Sequence, residues 1–407
     1  MPIDVAIVGA GLSGLACARE CAELGLDFLL LERAERVGGR VVTDAEDGFL
    51  LDRGFQVLLS SYPEVQRLAP VERLGAGRFR PGALVRFRGG FHRVVDPWRS
   101  PLEGLAAIAT PFVSLGDGLR LSQLREECLA GRHEGDLRPT HALLRDFGFG
   151  EGVLEAFLRP FFGGVTLDRS LSVPAWYFAR LFGWFARGDA TLPMAGMGAL
   201  PRALATSLEP ARLRLGAAVE VVEPRAVVLA TGERIECGRV VLATDAAATQ
   251  ALLGDGEPRG WSGTTTLYFD APASPVGDPI LVLNGEGPGD GPVNHLCVLS
   301  DAQPAYAPPG RSLVSVSVLG VPEAPDPELV EDARHQLEGW YGSSVRDWRL
   351  LRVDRIPRAL PRLEGAEVLC SEHGGVLLCG DQVASPSIQG SLASGRASAR
   401  AAAGVGA

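Results

Sequence analysis

The chain contains no lysine, and all 39 basic residues are arginine. That excludes a lysine Schiff base, a P-loop lysine and a lysine general base. The six histidines, His92, His133, His141, His295, His335 and His373, fall outside HxH or HxxxH spacing, so no metal site is expected. The seven cysteines include no CxxC pair. Their odd number and scatter suit a reducing compartment rather than a disulfide framework. Cys17 and Cys21 share a helix face at i, i+4 and read as small packing residues. Nowhere does the chain run for ~18 uncharged apolar residues, so no spanning helix is expected. The opening Met-Pro-Ile-Asp lacks a basic stretch with a cleavage site, so no signal peptide is expected either. A net charge of −10 gives no basic groove for nucleic acid. These absences point to a cytoplasmic protein, with peripheral attachment to a membrane surface left open.

What is present is globular. Hydrophobic residues make up 46% of 407, enough for about two or three domains. The 51 glycines and 29 prolines predict many turns. Ile3–Val8 reads as a buried parallel strand, Leu15–Leu24 as a helix stopped by Gly25, and Phe28–Leu31 as a second strand: a βαβ unit. Residues 83–95 predict two strands around Gly89-Gly90. Residues 102–130 and 141–158 read as mainly helical. Residues 174–187 hold the densest aromatic segment, read chiefly as helix–helix core and otherwise as an apolar tunnel wall. β character returns over 219–245, 263–269 and 311–319. Residues 328–341 predict an amphipathic helix, and 376–379 a strand that enters Gly380-Asp381 before a helix over 388–403. Residues 270–292, rich in Pro, Gly and acid, read as a surface loop.

Gly9-Ala10-Gly11-Leu12-Ser13-Gly14 is a GxGxxG turn placed between a strand and a helix. Gly9 allows the tight turn, Gly11 lets a pyrophosphate approach the backbone, and Gly14 lets helix pack on strand. The helix N-terminus offers free N–H groups to phosphate. Glu32 ends the next apolar run, close to the ~20-residue spacing at which an acid accepts ribose hydroxyls, and it disfavours a 2′-phosphate. Arg33 and the segment Arg36-Val37-Gly38-Gly39-Arg40 then combine close backbone approach with a bidentate donor.

With Leu51-Asp52-Arg53-Gly54-Phe55-Gln56 and Gly380-Asp381…Pro386-Ser387-Ile388-Gln389-Gly390, the chain resembles the FAD-dependent family of flavin amine oxidases, protoporphyrinogen oxidases and carotenoid (phytoene) desaturases. The resemblance implies an α/β fold: a Rossmann-type, glutathione-reductase-like FAD domain interleaved with a mixed α+β substrate domain. The FAD domain would comprise 1–75, 195–250 and 366–407, and the substrate domain 76–194 and 251–365. It implies that Gly39 and Arg40 lie on the flavin diphosphate, Val219 meets the adenine and Asp381 holds a ribityl hydroxyl. Gly196–Pro201 resembles the point where the family re-enters its FAD domain, and Arg358-Ala359-Leu360-Pro361 resembles a segment of the desaturase and protoporphyrinogen oxidase branches. The expected cofactor-binding set is Gly9, Ala10, Gly11, Leu12, Ser13, Gly14, Glu32, Arg33, Gly39, Arg40, Gly54, Val219, Gly380, Asp381 and Ile388. No catalytic residue is assigned.

Departures from the amine oxidases set the functional expectation. The family lysine near flavin N5 is absent, Ser387 stands where a cage aromatic usually does, and Gln389 replaces a Glu. No cysteine occupies 340–360, where covalently flavinylated members carry one, so non-covalent FAD is expected. The leading expectation is an FAD-dependent dehydrogenase or desaturase of a lipophilic, isoprenoid or tetrapyrrole-like compound, with oxygen or a quinone as electron acceptor. Amine oxidation is the rival, and a non-catalytic flavin-binding partner or carrier the alternative of another class.

Overall fold

The computed structural model describes residues 2–96, 98–99, 110–254 and 260–405. Its first sheet grows from the βαβ unit. Ile3–Val8 pairs in parallel with Phe28–Leu31 on one side and with the second half of Arg234–Leu242 on the other. Leu213–Arg214 adds beyond Phe28–Leu31, and Val376–Leu378 beyond Arg234–Leu242, both in parallel. In chain order these strands therefore lie third, second, first, fourth, fifth. The order reverses between Ile3–Val8 and Arg234–Leu242, and that is where open α/β sheets bind ligands. The strands are continuous apolar runs because helices cover them. Ala226–Leu229 pairs antiparallel with the first half of Arg234–Leu242, and Val219–Glu223 antiparallel with Ala226–Leu229.

The first helix spans Leu12–Glu23, three residues earlier than its apolar periodicity begins, because Gly11 takes the extended N-cap conformation. Gly14 is indispensable there. A Cβ on it would sit 1.8 Å from the Gly9 carbonyl oxygen, so only glycine lets this helix descend onto its strand. The last helix, Ile388–Ala402, crosses the first at a second such point. A Cβ on Gly395 would lie 2.0 Å from the Ser13 carbonyl oxygen.

The second sheet runs Arg349–Pro361, Trp261–Ala271, Ser312–Leu319, Val293–Val298, Leu281–Asn284, Gly82–Phe87, Gly90–Val95. Its pairs are antiparallel except Leu281–Asn284 with Gly82–Phe87. Alternation, interrupted by a register shift between Val293 and His295, separates the two faces. Leu267, Phe269, Leu296, Val298, Val314 and Val316 pack on the amphipathic helix Asp326–Tyr341 through Leu329, Val330, Ala333 and Leu337. Tyr268, His295, Cys297, Ser315 and Ser317 face the other way, toward the first sheet. The expectation of a surface loop over 270–292 is corrected here: Leu281–Asn284 is a largely buried strand in mid-sheet. Four residues between Pro/Gly-rich flanks carry too short a pattern to outweigh the turn signal. Of the helical expectation over 102–130, residues 102–109 lie outside the described residues, and Leu115–Leu129 is helical with Ser114 and Asp117 forming a capping box.

A buried carboxylate joins a separate hairpin to the second sheet. Asp52 ends the hairpin Thr43–Glu46/Phe49–Asp52. Its Oδ1 accepts hydrogen bonds from Thr43 Oγ1 and, at 2.9 Å, from the Met197 N–H; its Oδ2 accepts from the Tyr306 hydroxyl at 2.7 Å. Its carbonyl accepts from Tyr268 at 2.8 Å and Arg352 at 3.1 Å. Burial pushes the carboxyl up to about 6 despite those donors. Between the ordinary carboxylate range and about 6 the folded protein binds the proton more tightly than the unfolded chain does. Stability from this group is therefore present at low pH and lost as pH rises through about 6. The melting temperature of wild type relative to Asp52→Asn should fall between about pH 4 and pH 7; a pH-independent difference would refute the assignment.

Candidate functional site

A cavity of about 800 Å³ opens where the strand order reverses. Most of the anticipated cofactor residues line it: Gly9, Gly11, Leu12, Ser13, Glu32, Arg33, Gly39, Arg40, Gly54, Val219, Gly380, Asp381 and Ile388. Ala10 and Gly14 stand behind the wall. The Ala10 N–H donates to Glu32 Oε2 at 2.7 Å, and the Ala34 N–H to Oε1 at 2.9 Å. Each carboxylate oxygen keeps a second acceptor site, so two backbone N–H groups orient Glu32 without exhausting it. A Cβ on Gly11 would meet nothing within 4 Å, and Gly39, in left-handed backbone at φ +59°, comes within 3.5 Å of the Gly11 Cα when given one. Two bare backbones thus stand side by side, with open space beyond Gly11 through which a pyrophosphate could approach the main chain.

Arg40 does not stand apart from Asp381. Its Nη2 contacts both carboxylate oxygens at 2.6 Å, while Nη1 donates to the Ala359 carbonyl at 2.8 Å. The desaturase-like Arg358–Pro361 segment is therefore carried onto the Gly-Gly-Arg turn by the edge strand Arg349–Pro361. Asp381 follows Val376–Leu378 and is buried, whereas Arg40 is one-third exposed at the cavity edge.

Ser387 and Gln389 have structural partners that the resemblance does not supply. Ser387 lines the cavity as N-cap of the last helix, its hydroxyl accepting from the Gly390 N–H at 2.9 Å. Gln389 points to the short helix Pro63–Leu68, where its Oε1 accepts from the Glu64 N–H at 2.9 Å.

Beyond Asp381 the wall becomes apolar. The aromatic segment forms the helix Ala175–Arg187, and both readings of it hold, on different faces. Tyr177, Leu181 and Phe185, spaced i, i+4, i+8, line the cavity. Trp176 and Phe178 pack away from it, Trp176 donating to the Gly365 carbonyl at 3.0 Å and Phe178 meeting Phe162 edge-on at 4.6 Å. Tyr62, Phe161, Val165 and Leu281 continue the apolar lining. Sequence reading missed Tyr62, Phe161, Leu281 and His295; the only local signal was Phe161-Phe162 within a helical run. The lining carboxylates, Glu32, Asp245 and Asp381, belong to the glycine-turn end, and no lining residue is a cysteine.

Residues 12–403 match the family model of flavin containing amine oxidoreductases. The chain belongs to that family. Among its relatives, phytoene dehydrogenase of Streptomyces griseus is 29% identical over 294 residues, 62% of this chain and 56% of that one. The mitochondrial protoporphyrinogen oxidase of Nicotiana tabacum is 27% identical over 190 residues, 44% of this chain and 37% of that one. This family member thus spans little more than half the length of the first relative and little more than a third of the second. Wild-type putrescine oxidase with putrescine bound superposes with a TM-score of 0.73 over 98% of this chain and 99% of that one; at 17% identity the likeness is one of fold. The α/β fold with a Rossmann-type sheet is accordingly the fold of this flavoprotein family. Among the described residues no helix is long and apolar enough to cross a membrane.

Replacing Ser387 by Ala removes an N-cap and should lower unfolding stability by about 1 kcal/mol, read from denaturant midpoints. Any bound flavin should keep its absorbance maxima, since the hydroxyl is turned to the helix. A spectral shift with unchanged stability would place Ser387 on the ligand instead.

Proposed function

We propose that this flavoprotein binds one FAD non-covalently and oxidises a small lipophilic substrate, isoprenoid-like or tetrapyrrole-like. In this reading residues 1–75, 195–250 and 366–407 form the FAD domain, and 76–194 and 251–365 the substrate domain. When bound, FAD would supply the redox chemistry, taking hydride at N5 and returning electrons to oxygen or a quinone. The chain's own residues supply position and charge. Glu32 would accept from ribose hydroxyls, the Gly9–Gly14 turn and Gly39 would receive the diphosphate, Arg40 would neutralise it, and Asp381 would accept from the ribityl chain. Val219 and Ile388 would close the adenine and pyrimidine ends. The absence of cysteine from the lining supports non-covalent attachment.

One observation carries the choice of substrate class. The cavity has a polar, charged end at the glycine turn and a largely apolar far end where, among the described residues, no carboxylate lines the wall. An ammonium group carried into that end would lose water without gaining a counter-charge, at a cost of several kcal/mol. An apolar compound gains about 25 cal/mol for each Å² it buries there. Amine oxidation remains the second reading because Tyr62 and Tyr177 present aromatic surface at the cavity, and aromatic faces attract cations.

Two measurements test the reading. Glu32→Ala should weaken FAD binding by ~1–3 kcal/mol, with acid treatment of wild type releasing intact FAD; unchanged affinity would remove Glu32 from the ribose. Under anaerobic conditions mono-, di- and polyamines should leave the flavin oxidised, while a detergent-presented isoprenoid or porphyrinogen bleaches it. Rapid bleaching by a simple amine would promote the amine oxidase.

A further inference from the structure

His295 occupies an unusual place in the cavity wall. It lies on the mid-sheet strand Val293–Val298, on the face turned toward the first sheet, directly opposite Ser317 in the ladder. Both side chains line the cavity. The ring packs against Phe55 at 5.4 Å between centroids and against Gly164, where a Cβ would come within 2.9 Å of its Nδ1. His295 is only 5% exposed, and its Nε2 is buried with no hydrogen-bond partner.

The surrounding bonds determine which nitrogen carries the proton. Asn294 Oδ1 accepts from Arg169 Nη1 at 3.1 Å, so the Asn294 amide must present its nitrogen to the other side. That nitrogen donates to the Pro160 carbonyl at 3.0 Å and meets His295 Nδ1 at 3.0 Å. Nδ1 must therefore accept, and the proton of the neutral ring sits on Nε2. Burial also lowers the ring's pKa, to about 4, which keeps it neutral at ordinary pH. Arg169 has a second buried nitrogen, Nη2, that likewise lacks a partner. His295 Nε2 is thus an unpaired donor on a cavity-lining residue, while the Asn294 carbonyl is already engaged. A buried donor without a partner is costly, so such a position favours an acceptor.

We propose that His295 Nε2–H is a substrate-anchoring donor, which selects apolar substrates bearing an uncharged acceptor oxygen — carbonyl, ether or hydroxyl — at the end that meets His295. The proposal rests on the lipophilic reading above and sharpens it. A pure hydrocarbon would leave the donor unpaired. An ammonium would bring further donors and no acceptor to that N–H. A carboxylate would have to shed its water against a neutral ring.

The test uses the purified full-length flavoprotein and three matched probes: geranylgeraniol, the hydrocarbon lacking its hydroxyl, and the corresponding primary amine. Binding is followed by quenching of tryptophan fluorescence, which is independent of turnover. The alcohol should bind wild type about tenfold more tightly than either analogue. In His295→Phe that preference should vanish while hydrocarbon affinity is kept; in His295→Gln, which retains an N–H donor, part of it should return. Equal binding of alcohol and hydrocarbon to wild type overturns the proposal, as does an undiminished preference in His295→Phe. Should the phenylalanine variant fail to fold, the wild-type comparison and the glutamine variant still decide. Failure of every probe to bind, or preference for the amine, overturns the lipophilic reading itself and the proposal with it.

Discussion

The site depends on backbone-to-backbone contact between the first and last helices and the turns beneath them. Gly14 lies against the Gly9 carbonyl and Gly395 against the Ser13 carbonyl, each at a distance that no side chain could share. Because the helices sink this deeply, the turns that precede them, Gly9–Gly11 and Gly380–Asp381, open onto one cavity. An alanine at either position would have to push a helix outward, and the two N-termini would no longer converge.

Asp52 plays a second unifying part. A carboxylate that receives Thr43, Met197 and Tyr306, with Tyr268 and Arg352 on its own carbonyl, ties the hairpin to the edge strand Arg349–Pro361 and its neighbour Trp261–Ala271. His295 and Ser317 of the second sheet and the Tyr177–Leu181–Phe185 stripe line the same cavity. A well-satisfied buried network of this kind rigidifies its surroundings, since each member left unpaired would be costly.

Legibility in the sequence was uneven for physical reasons. Glu32 was readable because the acid closing the second strand stands at a nearly constant distance from the glycine turn. The role of Gly395 was hidden, because one glycine in an Ala/Ser-rich helix carries no sign of what crosses it. Leu281–Asn284 was hidden too: a four-residue buried strand between turn-formers shows no period long enough to read. Aromatic density over 174–187 marked a buried helix but could not say which face met a cavity, since both faces are apolar.

What the sequence determined by itself was local: the strand–turn–helix at Gly9–Gly14, the acid at Glu32, the Gly-Gly-Arg turn, the strand into Asp381, and the lack of lysine. Each is encoded by neighbours within a few residues to one βαβ unit. What only the tertiary structure decided was juxtaposition across long stretches of chain. It put Arg40 on Asp381 and Ala359, turned Gln389 toward Glu64 and Ser387 into its own helix, and set His295 in the wall with its Nε2 unpaired. Such pairings depend on sheet order and on how helices and turns dock; for His295, which is on a strand, a one-residue change of register would send the side chain to the other face.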